Sequence, residues 1–167
     1  LYCTTVAAIA RYIRTGMPLI EKVVTVDGSA VQTPKNVRVP IGTPMQAVFD
    51  FCGGFREEPR KVLYGGPMMG IAVDRLTEPV LKNTNALLAF GEREAREPQM
   101  TECIHCGRCA AACPLHITPY AIERAFRLED DGALEKLSVL NCMECGCCSY
   151  VCPAKRRLVQ TNKLAKQ

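Results

Sequence analysis

A chain of 167 residues with 48% hydrophobic content is long enough for one globular domain or two small ones. No apolar run approaches the ~20 residues that cross a bilayer, so the sequence predicts no membrane insertion of its own. The formal charge of +4 supports no nucleic-acid binding, because the anionic charge expected of the cysteine motifs below offsets it.

The chain opens at Leu1 and runs straight into an amphipathic pattern. That reads as a fragment, with residues 1–17 an N-terminal helix left over from a missing upstream domain. Thr4 and Thr5 can cap this helix; Val6, Ile9, Ala10 and Ile13 form its apolar face, and Gly16 ends it. Lys22 to Val26 is a β-branched strand, and Asp27-Gly28 is a hairpin signal. From Asn36 to Ile41, Val37, Val39 and Ile41 alternate with polar positions, as in a half-buried strand. Thr43 caps a helix with Pro44 at its first position and Met45, Val48, Phe49 and Cys52 as its apolar residues. Gly53-Gly54 stops it. Lys61 to Tyr64 and Ala86 to Phe90 read as further strands, separated by the loop Gly65-Gly-Pro-Met-Met-Gly70. Short strands around one helix give a small α+β domain over residues 18–90. Residues 91–100, charged and containing Pro98, read as a linker.

Residues 101–167 carry the chemistry. Cys103, Cys106, Cys109 and Cys113 precede Pro114, and Cys142, Cys145, Cys148 and Cys152 precede Pro153. Both runs read C-x2-C-x2-C-x3-C-P, the bacterial ferredoxin run that holds a [4Fe–4S] cluster on thiolates. Three cysteines at x2 spacing can cap three corners of a cubane. The fourth lies too far along and reaches the other cluster. Cys103, Cys106, Cys109 and Cys152 are therefore assigned to one cluster, and Cys142, Cys145, Cys148 and Cys113 to the other. Gly107 and Gly146 fall where the loops wind most tightly. Two clusters close together make a path for electrons.

Between the motifs, Thr118 caps and Pro119 starts a helix carrying Ile122, Ala125, Phe126 and Leu128. Asp131-Gly132 interrupts, and Ala133, Leu134, Leu137 and Leu140 resume at helical spacing. This stripe reads as core packed against the clusters, giving a helical ferredoxin-like domain. The basic tail, with Lys155, Arg156, Arg157, Lys163 and Lys166, reads first as a solvated face and second as a docking patch for an acidic redox partner.

Competing chemistry is weaker. Structural zinc uses two spaced pairs, not a run of three cysteines with a fourth before Pro, repeated in full. A zinc-stabilised interaction module is still an alternative. Disulfide scaffolds belong to short secreted chains. Cys3 and Cys52 read as small buried hydrophobes, Cys147 breaks the motif spacing, and His105 covers the first cluster without ligating it. Two [4Fe–4S]2+ centres on thiolates carry about −2 each, which cancels the formal +4. Free thiolates and oxygen-sensitive clusters point to a reducing, cytoplasmic setting.

The stretch Cys142-Met-Glu-Cys-Gly-Cys-Cys-Ser-Tyr-Val-Cys-Pro-Ala-Lys155, running into Leu158-Val-Gln160, resembles the C subunits of Rnf electron-transport complexes. Pro18 to Gly28 looks like the start of that family's β-grasp ligand-binding (SLBB) domain. Val39 to Pro44, Phe51-Cys-Gly-Gly54 and the Gly65–Gly70 loop extend the likeness. The resemblance implies a peripheral protein on the cytoplasmic face of the cell membrane. It belongs to a complex that couples electron flow between ferredoxin and NAD+ to Na+ or H+ movement. Other subunits of that complex, and ferredoxin, are the implied partners. FMN and NAD(H) would bind in the upstream domain. No G-x-G-x-x-G fingerprint occurs in this chain. Cobalamin reductases that join an SLBB domain to two clusters are the other family this layout resembles.

Overall fold

In the computed structural model, which describes residues 3–167, a first unit runs to Arg96 and a second spans Glu97–Gln167. Alternating valines build the sheet of the first. Strands β1 (Glu21–Asp27) and β2 (Lys35–Pro40) pair antiparallel, with Val24 opposite Val37 and Lys22 opposite Val39. Strand β3 (Lys61–Tyr64) pairs with β4 (Ile71–Val73) and with β5 (Ala86–Phe90), both antiparallel. Strand β5 also lies parallel to β1, which gives the order β2-β1-β5-β3-β4.

One face of this sheet is covered. Val24, Val26, Val39, Val62 and Leu87 are buried with Met45, Val48 and Phe49 of helix α2 (Met45–Phe51) and with Cys52 beyond its end. Burying each large side chain contributes about 1.5–3 kcal/mol, so this stripe anchors the unit. Gly53 and Gly54, at φ 86° and 75°, end α2.

Four local expectations fail in this unit. Asp27-Gly28 does not close a two-residue hairpin: residues 28–34 join β1 to β2. Gly28 stands at φ 117°, where a Cβ would lie 2.1 Å from the Ala89 carbonyl oxygen of β5. The glycine is needed for that close approach. Thr43 does not cap α2. Its Oγ1 donates to the Pro40 carbonyl at 2.9 Å, and Pro44 holds the cap position without a side-chain bond. Thr4 and Thr5 lie inside helix α1 (Cys3–Thr15) instead of capping it. None of the α1 residues is buried, so Cys3 is exposed, contrary to expectation. Glu21 on β1 accepts from Arg11 of α1 at 2.8 Å and from Arg38 of β2 at 2.9 Å. A single turn, α3 (Glu92–Ala95), follows β5.

The second unit is helical: α4 (Arg108–Ala111), α5 (Pro119–Arg127), α6 (Asp131–Lys136), a 3-10 turn at Val139–Asn141, α7 (Cys147–Tyr150) and α8 (Leu158–Leu164). Ile117, Ile122, Ala125, Leu134 and Val139 form one small core. Leu128 and Leu140, expected on the same stripe, are exposed. Asp131-Gly132 does not break the helix but forms its first turn. Asp130 Oδ1 accepts from Ala133 N at 2.9 Å, and this cap opens α6. The break lies just before it, at Glu129 with φ 53°. Among the described residues, no helix is long and apolar enough to cross a membrane.

Candidate iron–sulfur sites

One local fold is used twice. Every position of the first motif has a counterpart 39 residues on, and the backbone repeats with it. His105 and Glu144 take φ 52° and 58°, Gly107 and Gly146 φ 73° and 82°, and His116 and Lys155 both φ 54°. Left-handed backbone at a non-glycine residue costs on the order of 1–3 kcal/mol and persists only where surroundings impose it, typically at ligand clamps. Helices α4 and α7 match within the motifs, and α5 and α8 continue the repeat beyond them. Ser149 Oγ, on α7, accepts from Val159 N in the first turn of α8 at 3.0 Å.

The eight motif cysteines come together as two sets of four. One small recess is lined by Cys103, Cys106 and Cys109 of the first motif and Cys152 of the second, beside His105, Tyr120 and Arg156. A second is lined by Cys142, Cys145 and Cys148 with Cys113 of the first motif, beside Glu144 and Asn162. Each recess thus takes three sulfurs from one motif and the fourth from the other. All eight are free thiols. Cys109, Cys148 and Cys152 are buried and form half of the apolar cluster completed by Ala154, Leu158 and Val159.

The donor chemistry suits a cationic iron core. Burial pushes the Cys148 thiol up to about 11 and raises Cys109 as well. In so apolar a setting a thiolate needs a metal against it. A single zinc would draw four sulfurs to within about 4 Å of one another. A cubane instead spreads its thiolates over four separate irons. Cys147, outside the motif spacing, is half-buried. Its thiol is raised, first by a hydrogen bond with Cys145 and then by burial. The His105 ring stands edge-on to Tyr120, with centroids 5.9 Å apart.

The basic tail is not a solvated face throughout. The Arg156 side chain is only 6% exposed and Glu123 of α5 only 10%. Arg156 Nε donates to the two Glu123 carboxylate oxygens at 2.9 and 2.7 Å, Nη2 donates to the same group, and Nη1 donates to the Thr101 carbonyl at 3.1 Å. Glu123 holds the guanidinium firmly protonated. Arg157 remains exposed and pairs with Glu97. Lys166 pairs with Glu144 at 2.8 Å and donates to the Cys142 carbonyl at 3.0 Å. Asn162, fully buried on α8, donates its Nδ2 to Cys142 Sγ at 3.6 Å. Sequence reasoning missed Glu123, Arg156 and Asn162. Aligning the two motifs past their prolines pairs Glu123 with Asn162, polar residues on otherwise buried stripes, and that was the available signal.

Two family models match the chain: the SLBB domain over residues 23–72 and the 4Fe-4S dicluster domain over residues 102–155. The chain is 44% identical over 157 residues to the C subunit of the proton-translocating ferredoxin:NAD(+) oxidoreductase complex of Clostridium ljungdahlii, covering 93% of this chain and 34% of that protein. It is 44% identical over 162 residues to the C subunit of the ion-translocating oxidoreductase complex of Rhodobacter capsulatus, covering 97% and 31%. With the C subunit of the Na(+)-translocating ferredoxin:NAD(+) oxidoreductase complex of Acetobacterium woodii it shares 42% identity over 163 residues, covering 98% and 37%. The chain spans about a third of the length of these relatives. The chain thus carries an SLBB domain and a 4Fe-4S dicluster domain and is similar, over most of its length, to a segment of the C subunits of ion-translocating oxidoreductase complexes.

Proposed function

We propose that the eight motif cysteines hold two [4Fe–4S] clusters and that the second unit carries single electrons within a membrane-bound ferredoxin–NAD oxidoreductase that moves Na+ or H+. The observation that supports this most is the sorting of the cysteines into two recesses of four, each completed by the other motif. Cys103, Cys106, Cys109 and Cys152 are the ligands of one cluster, and Cys142, Cys145, Cys148 and Cys113 those of the other. Bound there, each cluster supplies a one-electron couple at low potential. The chain's own part is to position and insulate. Buried Leu158, Val159 and Ala154 keep water from the sulfurs between the two recesses. Shared ligation ties the two centres into one short path.

The partners are the other subunits of the complex, with ferredoxin as a donor or acceptor, and the protein acts as a peripheral subunit at the cytoplasmic face of the membrane. FMN and NAD(H) belong to the part of the protein upstream of this segment. The names of the relatives, which include a proton-translocating and a Na(+)-translocating complex, support the reading.

The test is iron and acid-labile sulfide per chain after anaerobic reconstitution, with electron paramagnetic resonance of the dithionite-reduced protein. About eight irons with interacting S = 1/2 signals are expected. Stoichiometric zinc without sulfide would overturn electron transfer and leave a structural module. For the membrane assignment, the full-length protein should copurify with integral membrane subunits.

A further inference from the structure

The repeat that builds the two recesses does not furnish them alike. At matching positions on the helices that follow the motifs, α5 turns Glu123 inward and α8 turns Asn162 inward. Glu123 is bound by Arg156 and gives nothing to a cysteine sulfur. Asn162 is fully buried, and the one side-chain bond its amide makes is from Nδ2 to Cys142 Sγ at 3.6 Å. Its Oδ1 has no partner among the described residues. An apolar side chain there would strand no buried acceptor, so the amide is favoured by what its N–H does.

Lys166 reaches the Cys142 backbone carbonyl and the Glu144 carboxylate, not the sulfur.

We propose that Asn162 sets the reduction potential of the cluster held by the second motif by donating its Nδ2–H to the Cys142 sulfur, a bond without counterpart in the first recess. A donor aimed at a ligand sulfur stabilises the reduced centre, which carries one more negative charge, more than the oxidised one. The potential therefore rises. Asn162 is a positioning and tuning residue, not a ligand. The proposal rests on the eight cysteines holding two clusters, and its test separates the two claims.

The experiment is an anaerobic redox titration of the cluster-loaded chain followed by electron paramagnetic resonance. Signals are first assigned with Cys106→Ser and Cys145→Ser proteins. In Asn162→Leu the midpoint of the second cluster should fall while that of the first stays in place. The ratio of reduced to oxidised second cluster at a fixed poise near its midpoint should drop about tenfold, equivalent to about 59 mV for a one-electron couple. Asn162→Ser removes the amide without adding bulk, so it should shift the midpoint in the same direction even where leucine disturbs packing. An unchanged second midpoint in both variants, or equal shifts of both clusters, overturns the proposal. Loss of the second cluster in both variants also overturns it, because Asn162 would then be holding the centre in place and not tuning it. Absence of iron and sulfide from the unmodified protein would instead defeat the two-cluster reading.

Discussion

Replacing Glu123 by alanine tests whether the second unit depends on its buried ion pair. The substitution leaves the Arg156 guanidinium in a site where its side chain is only 6% exposed. Two partners survive: the Thr101 carbonyl at 3.1 Å and the exposed Glu102 carboxylate at 3.7 Å. Stranding one member of a buried pair costs about 3–5 kcal/mol. With Thr101 and Glu102 still in reach, the lower end applies, about 3 kcal/mol. At a urea dependence of about 2 kcal/mol per molar, that moves the unfolding midpoint down by about 1.5 M. The assay is an anaerobic urea titration of the cluster-loaded chain, followed by visible absorption and far-ultraviolet circular dichroism. The double variant Glu123→Leu with Arg156→Met should recover at least about 2 kcal/mol, since an apolar pair of similar volume carries no desolvation penalty. A single variant within about 0.5 kcal/mol of the unmodified protein, or a double variant no more stable than the single, would refute the reasoning.

Cys113→Ser should damage the cluster of the second motif more than that of the first, read as the loss of one reduced-state resonance signal; loss of the first-motif signal instead would reverse the ligand assignment. Iron removal by an anaerobic chelator should abolish helical signal from residues 97–167 while amide exchange in β1 and β5 stays slow, because cysteines make up half of one of the second unit's small cores. Equal melting of both units would contradict this. Glu21 gives a pH dependence. Hydrogen bonds from Arg11 and then Arg38 hold its carboxyl below the ordinary range. The stabilisation is therefore complete above the unfolded carboxyl value and is lost as pH falls through the lower folded value. Amide exchange of residues 3–15 should accelerate across that acidic window, and Glu21→Gln should give the faster exchange already at neutral pH.

Features that follow from local chemistry were legible in the sequence. The spacing of the eight cysteines announced iron and sulfur, and alternating valines announced β1 and β2. The 3.6-residue period of Met45, Val48, Phe49 and Cys52 announced α2. Features that depend on distant partners were not. Arg156 reads as one more charge in a basic tail until Glu123 is brought to it across 33 residues. The parallel pairing of β1 with β5 has no local signature, and β4, three residues long and largely exposed, has almost no pattern at all. Thr43 and Asp130 show how little a capping residue type decides alone. Thr43 turns back to a carbonyl in the preceding turn, while Asp130, one residue ahead of the supposed interruption, supplies the actual cap.

The exchange of one cysteine between the motifs has a consequence for how the protein is made. Under the proposed ligation a ribosome delivers Cys103, Cys106 and Cys109 well before Cys152, so the first set lacks its fourth sulfur until Cys152 has emerged. The second recess needs Cys113 to be waiting. Neither motif by itself supplies all four sulfurs of a recess, so under that ligation the two loading events are coupled. Termination just before Cys152 would leave the first set one sulfur short while the second is already complete, and loss of Cys113 would do the reverse. The order in which the sulfurs appear thus decides which centre a truncated chain can still close.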